Sequence, residues 1–361
     1  MKKIIYIVSL ILLFYLSYNF KNFPLFMLSI SFLVLVGFFI KKINKNFLLI
    51  LFSISITVTV IEGTLLYSNT GKFIQKSSSS NTSSNIKYEK TFLGYQPSPG
   101  IYKYSDKYYT IGNNKFRITP EINDLKKNKT INFFGGSFTF GYGLNDNETM
   151  PYLLQKYFYD WKINNYGING YGVHQMLAQI QRNPEIIADI NILITVEGHI
   201  PRATCKRHFS FGTPKYILNK NKQLQRSGYC HFGFLDGLPI PKIFGSIINR
   251  SEIKNYIFNF FNNEKNFYNK KNKELYVAII KEINKIVTNN NKKLFVGYME
   301  SSDELNKSII AMLLKNNIDI IDLSLDKNNN DYWLLDRHTS KKGNEKRVFI
   351  IHDYLKKFKL N

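Results

Sequence analysis

A histidine and an aspartate near the carboxyl terminus, together with a serine far upstream, have the types and spacing for acyl-transfer chemistry. His338 lies in a polar loop and follows Asp336 by two residues. A serine nucleophile needs a base that titrates near neutral pH, usually histidine, and a neighbouring carboxylate can orient that ring and stabilise its charge. The matching serine is Ser137, which follows two glycines at the end of the apolar run 131–134. We therefore predict Ser137 as nucleophile, His338 as base and Asp336 as its support.

Two further segments end predicted strands in polar or glycine-rich turns. In the first, 165–172, a backbone N–H can point at a developing oxyanion. The second, 197–202, presents a polar donor at the same edge of the sheet. Within it, we predict a salt bridge between Glu197 and Arg202, with the alternative that Arg202 holds an anionic group of a substrate.

An alternation of strands and helices must position these residues. The predicted strands are 130–134, 163–166, 190–196, 294–299 and 318–323, and the predicted helices are 151–158, 173–182, 272–289, 302–315 and 340–358. Such alternation favours a parallel sheet covered by helices on both faces. Residues 88–128 are rich in tyrosine, glycine and proline and predict a small β-rich lead-in.

The amino-terminal part predicts a membrane region. Apolar segments at 4–18, 24–40 and 47–67 approach or reach the roughly 20 residues that a helix needs to cross a bilayer. Lysines cluster before the first segment and between the second and third, and basic residues stay on the cytoplasmic side. We therefore predict three spans within 1–70, a cytoplasmic amino terminus, and an extracytoplasmic domain tethered by the serine-rich linker 71–87.

Residues 203–249 interrupt the alternation and contain both cysteines of the chain, Cys205 and Cys230. Because the predicted topology exposes them to an oxidising compartment, we predict a disulfide. The alternative is a zinc site formed with His208 and His231, although adjacent ligands at 230 and 231 fit the usual zinc spacings poorly.

The net charge of +23, from 49 Lys and Arg against 26 Asp and Glu, would suit a nucleic-acid partner. The lysines are scattered along the chain rather than gathered into one stripe, and the sequence has no zinc-finger, helix-turn-helix or RNA-binding signature. We therefore expect no nucleic-acid partner.

From residue 129 to the end, apart from the insertion, the chain resembles the SGNH (GDSL-type) hydrolase superfamily, in particular membrane-anchored bacterial members. The motifs that carry the resemblance are Gly-Gly-Ser-Phe-Thr-Phe-Gly at 135–141 and Asn-Tyr-Gly-x-x-Gly-Tyr-Gly at 165–172. The resemblance implies a flavodoxin-like three-layer α/β/α fold and ester chemistry without a metal or other cofactor. It also implies an oxyanion hole lined by the N–H groups of Ser137 and Gly170.

Three positions depart from the family pattern. Gly136 stands where the family usually has aspartate, and His199 stands where it usually has an asparagine donor. A neutral imidazole can still donate one N–H, so His199 is the expected third oxyanion donor. One residue, rather than two, separates Asp336 from His338.

These observations predict a membrane-tethered extracytoplasmic serine esterase or acyl-transferase that acts on an ester of a glycan or lipid through an acyl-serine intermediate. The altered positions support a second hypothesis, a non-catalytic envelope module that binds glycans or assists assembly, because a fold alone does not guarantee its chemistry.

Overall fold

The computed structural model describes residues 30–31, 44–77, 86–122, 127–206, 210, 212–230 and 267–358. These residues divide between two compact units. Helix α1, Lys45–Ser77, belongs to the first unit, and all the other helices and strands named below belong to the second.

Helix α1 contains the third of the three predicted membrane spans. Within the described part of the chain, its stretch Lys45–Glu62 is the one helix segment whose length and apolar composition would suffice to cross a membrane. The first two predicted spans lie outside the described residues except for Ile30 and Ser31. In the predicted linker 71–87, residues 71–77 continue helix α1 instead of starting a tether, and residues 78–85 lie outside the described part of the chain.

The strands of the second unit are β1 Tyr88–Glu89, β2 Gln96–Pro97, β3 Gly100–Tyr104, β4 Lys107–Ile111, β5 Lys129–Gly135, β6 Trp161–Gly167, β7 Ile190–Thr195, β8 Pro214–Leu218, β9 Leu224–Tyr229, β10 Lys293–Tyr298 and β11 Ile320–Asp322. Its helices are α2 Ser137–Phe140, α3 Met150–Leu154, α4 Val173–Arg182, α5 His199–Ala203, α6 Lys270–Asn289, α7 Glu304–Leu314 and α8 Lys341–Lys356.

Five parallel strands form the central sheet in the order β6-β5-β7-β10-β11. Counted along the chain among these five, the order is 2-1-3-4-5, which is the flavodoxin-like arrangement. All six residues of β7 are buried, as expected for a central strand covered on both faces. The predicted α/β class and parallel sheet are therefore confirmed.

Two separate apolar clusters cover the faces of the sheet. Helices α4, α6 and α7 pack with Leu193, Val296 and other residues of one face, whereas α3 and α8 pack with the opposite face. Strand β7 shows the alternation directly, because Ile192 and Ile194 enter the second cluster while Leu193 enters the first. This is the predicted three-layer architecture.

The lead-in and the insertion add small antiparallel sheets to the same unit. Strands β1 and β2 pair, as do β3 and β4, and β8 pairs with β9 in a hairpin within the insertion. The rest of the predicted insertion, from residue 231 onward, lies outside the described residues.

Candidate active site

Ser137 begins α2 directly after β5 ends at Gly135. The chain leaves β5 for β6 on one side and later returns to β7 on the other side. Such a switch in strand order opens a crevice at the carboxyl ends of the strands, where open α/β sheets bind ligands. The apolar strand therefore delivers the serine to the edge that was predicted for it.

Gly136 occupies a position with little room for a side chain. A Cβ atom built on it would lie 3.0 Å from the carbonyl oxygen of Tyr171 and 3.1 Å from Nε2 of His199. The absence of the family's aspartate at this position thus lets two neighbouring loops close against the backbone beside Ser137.

The three side chains predicted to act together are connected by hydrogen bonds. Oγ of Ser137 lies 2.8 Å from Nε2 of His338, and Nδ1 of the same ring lies 3.0 Å from Oδ2 of Asp336. The backbone N–H of His338 also donates to Oδ1 of Asp336, at 3.0 Å. This geometry lets the histidine take a proton from the serine while the carboxylate orients the ring.

The backbone conformation of Arg337, the single residue between Asp336 and His338, explains how the shorter spacing still brings the carboxylate to the imidazole. Arg337 has a φ of 67°, which places it in the left-handed region. The turn is closed by two backbone hydrogen bonds, from Leu334 N–H to the His338 carbonyl at 2.7 Å and from Arg337 N–H to the Leu334 carbonyl at 2.9 Å. The carboxylate is thereby folded back onto the imidazole.

Two aromatic rings enclose His338. The ring of Tyr142 lies 4.9 Å from it and the ring of Phe138 lies 5.3 Å from it, measured between centroids. The side chain of His338 keeps 25% of its surface exposed, and that of Asp336 keeps 44%. The imidazole is therefore held on its sides and remains open toward solvent.

The glycine-rich loop after β6 lies beside the serine. Ile168 N–H donates to the carbonyl of Gly135 at 3.1 Å, which anchors this loop to the end of β5. Gly170 has a φ of +79°, a conformation that glycine adopts without strain. Among the described residues, we find no acceptor for the N–H groups of Ser137 and Gly170, so both are available as donors.

His199 lies at the start of α5 and is 3% exposed. Its Nδ1 lies 3.0 Å from Oγ1 of Thr195, and that oxygen lies 2.7 Å from the hydroxyl of Tyr276. Burial, followed by the positive charge of Arg202, lowers the pKa of His199 well below its ordinary value. The ring is therefore neutral near pH 7, and a neutral imidazole still donates one N–H.

The predicted salt bridge between Glu197 and Arg202 is wrong, since the described residues contain no such ion pair. Nη1 of Arg202 donates instead to the carbonyl of Tyr171 at 2.8 Å. Glu197 precedes α5 and is five residues from Arg202, more than one helical turn of about 3.6 residues, so the two do not share a helix face. Burial raises the pKa of Glu197.

Cys205 and Cys230 are joined in a disulfide, with their Cα atoms 5.3 Å apart. The bond links the turn after α5 to the end of β9. Sulfur atoms bonded to each other are not thiolate ligands, which counts against the zinc alternative. The other two ligands of that alternative, His208 and His231, lie outside the described residues.

A cavity of about 300 Å³ adjoins the triad at the carboxyl edge of the sheet. Phe138, the residue after the serine, forms part of its wall together with Met299 and Trp333. Glu300 and Lys327, which form an ion pair at 2.9 Å, supply charge to the same wall. The cavity wall meets the triad through Phe138, whose ring centroid lies 5.3 Å from that of His338.

Sequence reasoning missed Arg117, whose buried guanidinium donates to the carbonyls of Phe140 and Gly141 and so holds the end of the short helix that Ser137 begins. It also missed Thr195, whose hydroxyl contacts His199, and Tyr276, whose hydroxyl contacts Thr195. An arginine in a tyrosine-rich lead-in and a threonine at a strand end carry no local signal of these roles.

The order of these parts along the chain matches the resemblance: serine after the first core strand, glycine after the second, a polar donor after the third, and the aspartate and histidine before the last helix. The fold is SGNH hydrolase-like.

No protein-family model matches the sequence, and no curated protein matches it. Solved structures with a similar fold include a member of the lipolytic protein G-D-S-L family from Veillonella parvula and AlinE4, an SGNH-hydrolase family esterase. The first is 13% identical over 64% of this chain and 99% of that chain, with a TM-score of 0.34. The second is 14% identical over 66% of this chain and 98% of that chain, with a TM-score of 0.33. TM-scores this low carry no argument, so the assignment of the fold rests on the sheet order and the positions of the site residues.

Proposed function

We propose that this chain is a serine ester hydrolase or acyl-transferase, tethered to a bacterial cytoplasmic membrane with its catalytic domain on the extracytoplasmic side. Its substrate is an acyl or acetyl ester of a glycan or lipid. The observation that supports the catalytic part most strongly is the unbroken hydrogen-bond chain from Asp336 through His338 to Ser137. A domain that only bound glycans would not need this alignment.

In the proposed first step, Nε2 of His338 takes the proton of Ser137 as Oγ attacks the ester carbonyl carbon. The negative charge that develops on the carbonyl oxygen is stabilised by the N–H groups of Ser137 and Gly170 and by His199. When the intermediate collapses, His338 returns the proton to the departing alcohol, and the acyl group remains on Ser137.

In the second step, His338 removes a proton from the acceptor, whose oxygen attacks the carbonyl carbon of the acyl-serine. As the bond from that carbon to Oγ breaks, His338 returns the proton to Oγ of Ser137, and the acyl group leaves on the acceptor. Water as acceptor gives hydrolysis, and a sugar hydroxyl gives acyl transfer. Asp336 stabilises the imidazolium in both steps. The cavity beside Phe138 is the proposed place for one arm of the ester, because its wall begins one residue after the nucleophile.

The experiment that separates an enzyme from a non-catalytic envelope module is covalent labelling by a fluorophosphonate. This probe should label the wild-type chain and the control variant Ser302→Ala, which alters an exposed serine, but not Ser137→Ala. No labelling of the folded wild type would favour the non-catalytic module. A panel of acetylated sugars and short acyl esters, assayed with and without sugar acceptors, would then identify the ester and distinguish hydrolysis from transfer.

A further inference from the structure

Three buried polar groups form a chain that leads from the core to His199. The hydroxyl of Tyr276 lies 2.7 Å from Oγ1 of Thr195, and that oxygen lies 3.0 Å from Nδ1 of His199. Tyr276 and Thr195 are both 0% exposed, and they come from helix α6 and from the last residue of β7. The chain therefore connects three separate elements of the fold.

The number of hydrogen atoms that Tyr276, Thr195 and His199 can share decides the direction of the hydrogen bonds between them. If Nδ1 of His199 carried the proton, it would donate to Thr195, Thr195 would donate to Tyr276, and the phenolic hydrogen would need a further acceptor. The described structure offers Tyr276 no second hydrogen-bond partner, and a buried hydroxyl without an acceptor is destabilising. In the opposite direction, Tyr276 donates to Thr195 and Thr195 donates to Nδ1, so both hydroxyl groups are satisfied.

The second direction leaves the ring proton of a neutral His199 on Nε2. That nitrogen lies 3.1 Å from a Cβ position built on Gly136, the residue before Ser137. The proton is therefore placed beside the backbone of the nucleophile. The first direction would leave a lone pair there, and a lone pair would repel an oxyanion.

Burial is the main reason that the ring stays neutral, and the guanidinium of Arg202 adds to it, because both lower the pKa of His199. His174 makes its own hydrogen bond, from Nε2 to Oγ1 of Thr213 at 3.0 Å, and lies outside the Thr195 chain.

We propose that Thr195 and Tyr276 are positioning residues that hold His199 as the Nε2–H tautomer, so that a histidine can serve as the third oxyanion donor. The inference rests on the proposed function for its catalytic meaning. The expected tautomer of His199, with its proton on Nε2, does not depend on whether an ester is cleaved.

The ring state is measured by long-range ¹H–¹⁵N correlation on the full chain labelled with ¹⁵N-histidine, and His199→Asn identifies the signals of residue 199. In the wild type we expect a protonated Nε2 and an unprotonated Nδ1. Thr195→Val has a similar shape but no hydroxyl, and it should shift residue 199 toward a mixture of tautomers. A wild-type ring protonated on Nδ1 would overturn the proposal.

The second arm is kinetic. Thr195→Val should lower kcat by about 10-fold, less than the ~10²–10³-fold loss expected when an oxyanion donor is deleted outright, with KM nearly unchanged. Thr195→Ser restores the hydroxyl and should restore kcat, and Tyr276→Phe should cost less than Thr195→Val. The matched control is Tyr298→Phe, which removes another buried phenol, one that donates to Asn306 at 2.6 Å without contacting His199, and it should leave kcat unchanged.

Equal kcat values for Thr195→Val and the wild type, with an unchanged ring state, would also overturn the proposal. If the folded chain shows neither esterase activity nor fluorophosphonate labelling, the proposed function fails, while the ring measurement still decides whether Thr195 and Tyr276 set the tautomer.

Discussion

At the scale of single residues, Ser137, His338 and Asp336 form one hydrogen-bonded unit. In the proposed mechanism this unit transfers the proton, and variants of such a unit do not lose activity additively. Ser137→Ala removes the atom that becomes acylated, and His338→Ala removes the proton acceptor that contacts it at 2.8 Å. Each should lower kcat by ~10⁴-fold or more. Asp336→Asn should cost less, about 10²–10⁴-fold, because this carboxylate is 44% exposed and water can partly replace it.

The measurement is kcat/KM on any accepted ester, with the folding of each variant confirmed by circular dichroism. His199→Ala is the comparison variant, and it should be milder at ~10²–10³-fold because the backbone N–H donors remain. Substantial turnover by Ser137→Ala would exclude the serine mechanism. A loss for His199→Ala equal to that for His338→Ala would mean that His199 is more than a donor.

The buried side chain of His174 should make the free energy of unfolding depend on pH. Burial is the main cause that lowers its pKa from 6.5 to about 3. As the pH falls below 6.5, the unfolded chain binds a proton there that the folded chain does not bind, so stability present above pH 6.5 is lost progressively until about pH 3. At pH 5.5 the loss from this residue should be about 1.4 kcal/mol.

Urea unfolding at pH 7.5 and pH 5.5 measures this difference. His174→Gln should shrink it by about 1.4 kcal/mol. Thr213→Val removes the hydroxyl partner but keeps the ring, so it should lower stability at both pH values and preserve the difference. An unchanged difference in His174→Gln would contradict the prediction.

At the scale of elements, Arg117 ties the lead-in to α2, the helix that Ser137 begins. All five of its N–H donors are used: Nε bonds Asp146 at 2.7 Å, and the two terminal nitrogens bond the carbonyls of Phe140, Gly141, Leu144 and Tyr108. Arg117→Met leaves Asp146 without its cation and should cost about 3–5 kcal/mol of stability. Arg117→Lys should also be damaging, because an ammonium has three donors and no planar fork.

Urea unfolding measures the loss, and Arg226→Met, which changes an arginine on the exposed face of β9, is the control. Asp146→Asn combined with Arg117→Met should recover part of the stability, since it removes the unpaired carboxylate. A loss for Arg117→Met no larger than for the control would show that the lead-in is not coupled to α2 in this way.

The disulfide gives a second prediction at this scale. Replacing both Cys205 and Cys230 by serine opens a loop with a sequence separation of 25 residues. In the chain-entropy model this should lower the free energy of unfolding by roughly 3.5 kcal/mol. Urea unfolding of the double variant, and of wild type with and without reductant, tests it, and two alkylatable thiols in protein from the native envelope would contradict the pairing.

The sequence predicts the five core strands within about two residues at each end, because an apolar run such as 190–196 is typical of a strand that is buried on both faces. Helix α4 begins and ends as predicted, at Val173 and Arg182. Helix α3 is shorter than predicted and ends at Leu154, since the periodicity of a short apolar stretch does not mark its end.

For the site, chain order and residue type suffice to select Ser137, Asp336 and His338, but not the contacts that orient them. The left-handed turn at Arg337, the clamp of Arg117 and the Thr195–Tyr276 chain all arise where distant segments meet. The Glu197–Arg202 prediction failed for the same reason. The sequence shows that these two charged residues are close along the chain, but it does not show in which direction a short helix orients their side chains.

At the scale of the whole molecule, the distribution of lysines makes a prediction about which side of a membrane the catalytic unit occupies. Lys2 and Lys3 precede the first apolar segment, and Lys41, Lys42 and Lys45 lie between the second and the third. Both clusters should be cytoplasmic. A chain that starts inside and crosses an odd number of times delivers everything after Tyr67 to the outside.

Three reporter fusions distinguish three crossings from one. A reporter active only outside the cytoplasm should be active after Lys21, silent after Lys42 and active after Lys87, and a cytoplasm-only reporter should give the reverse pattern. With α1 as a single crossing, the fusion after Lys21 would be silent and the one after Lys87 still active. Silence after Lys87 would place the triad in the cytoplasm, where an oxidised Cys205–Cys230 pair is not expected to persist, and would contradict the proposed location of the enzyme.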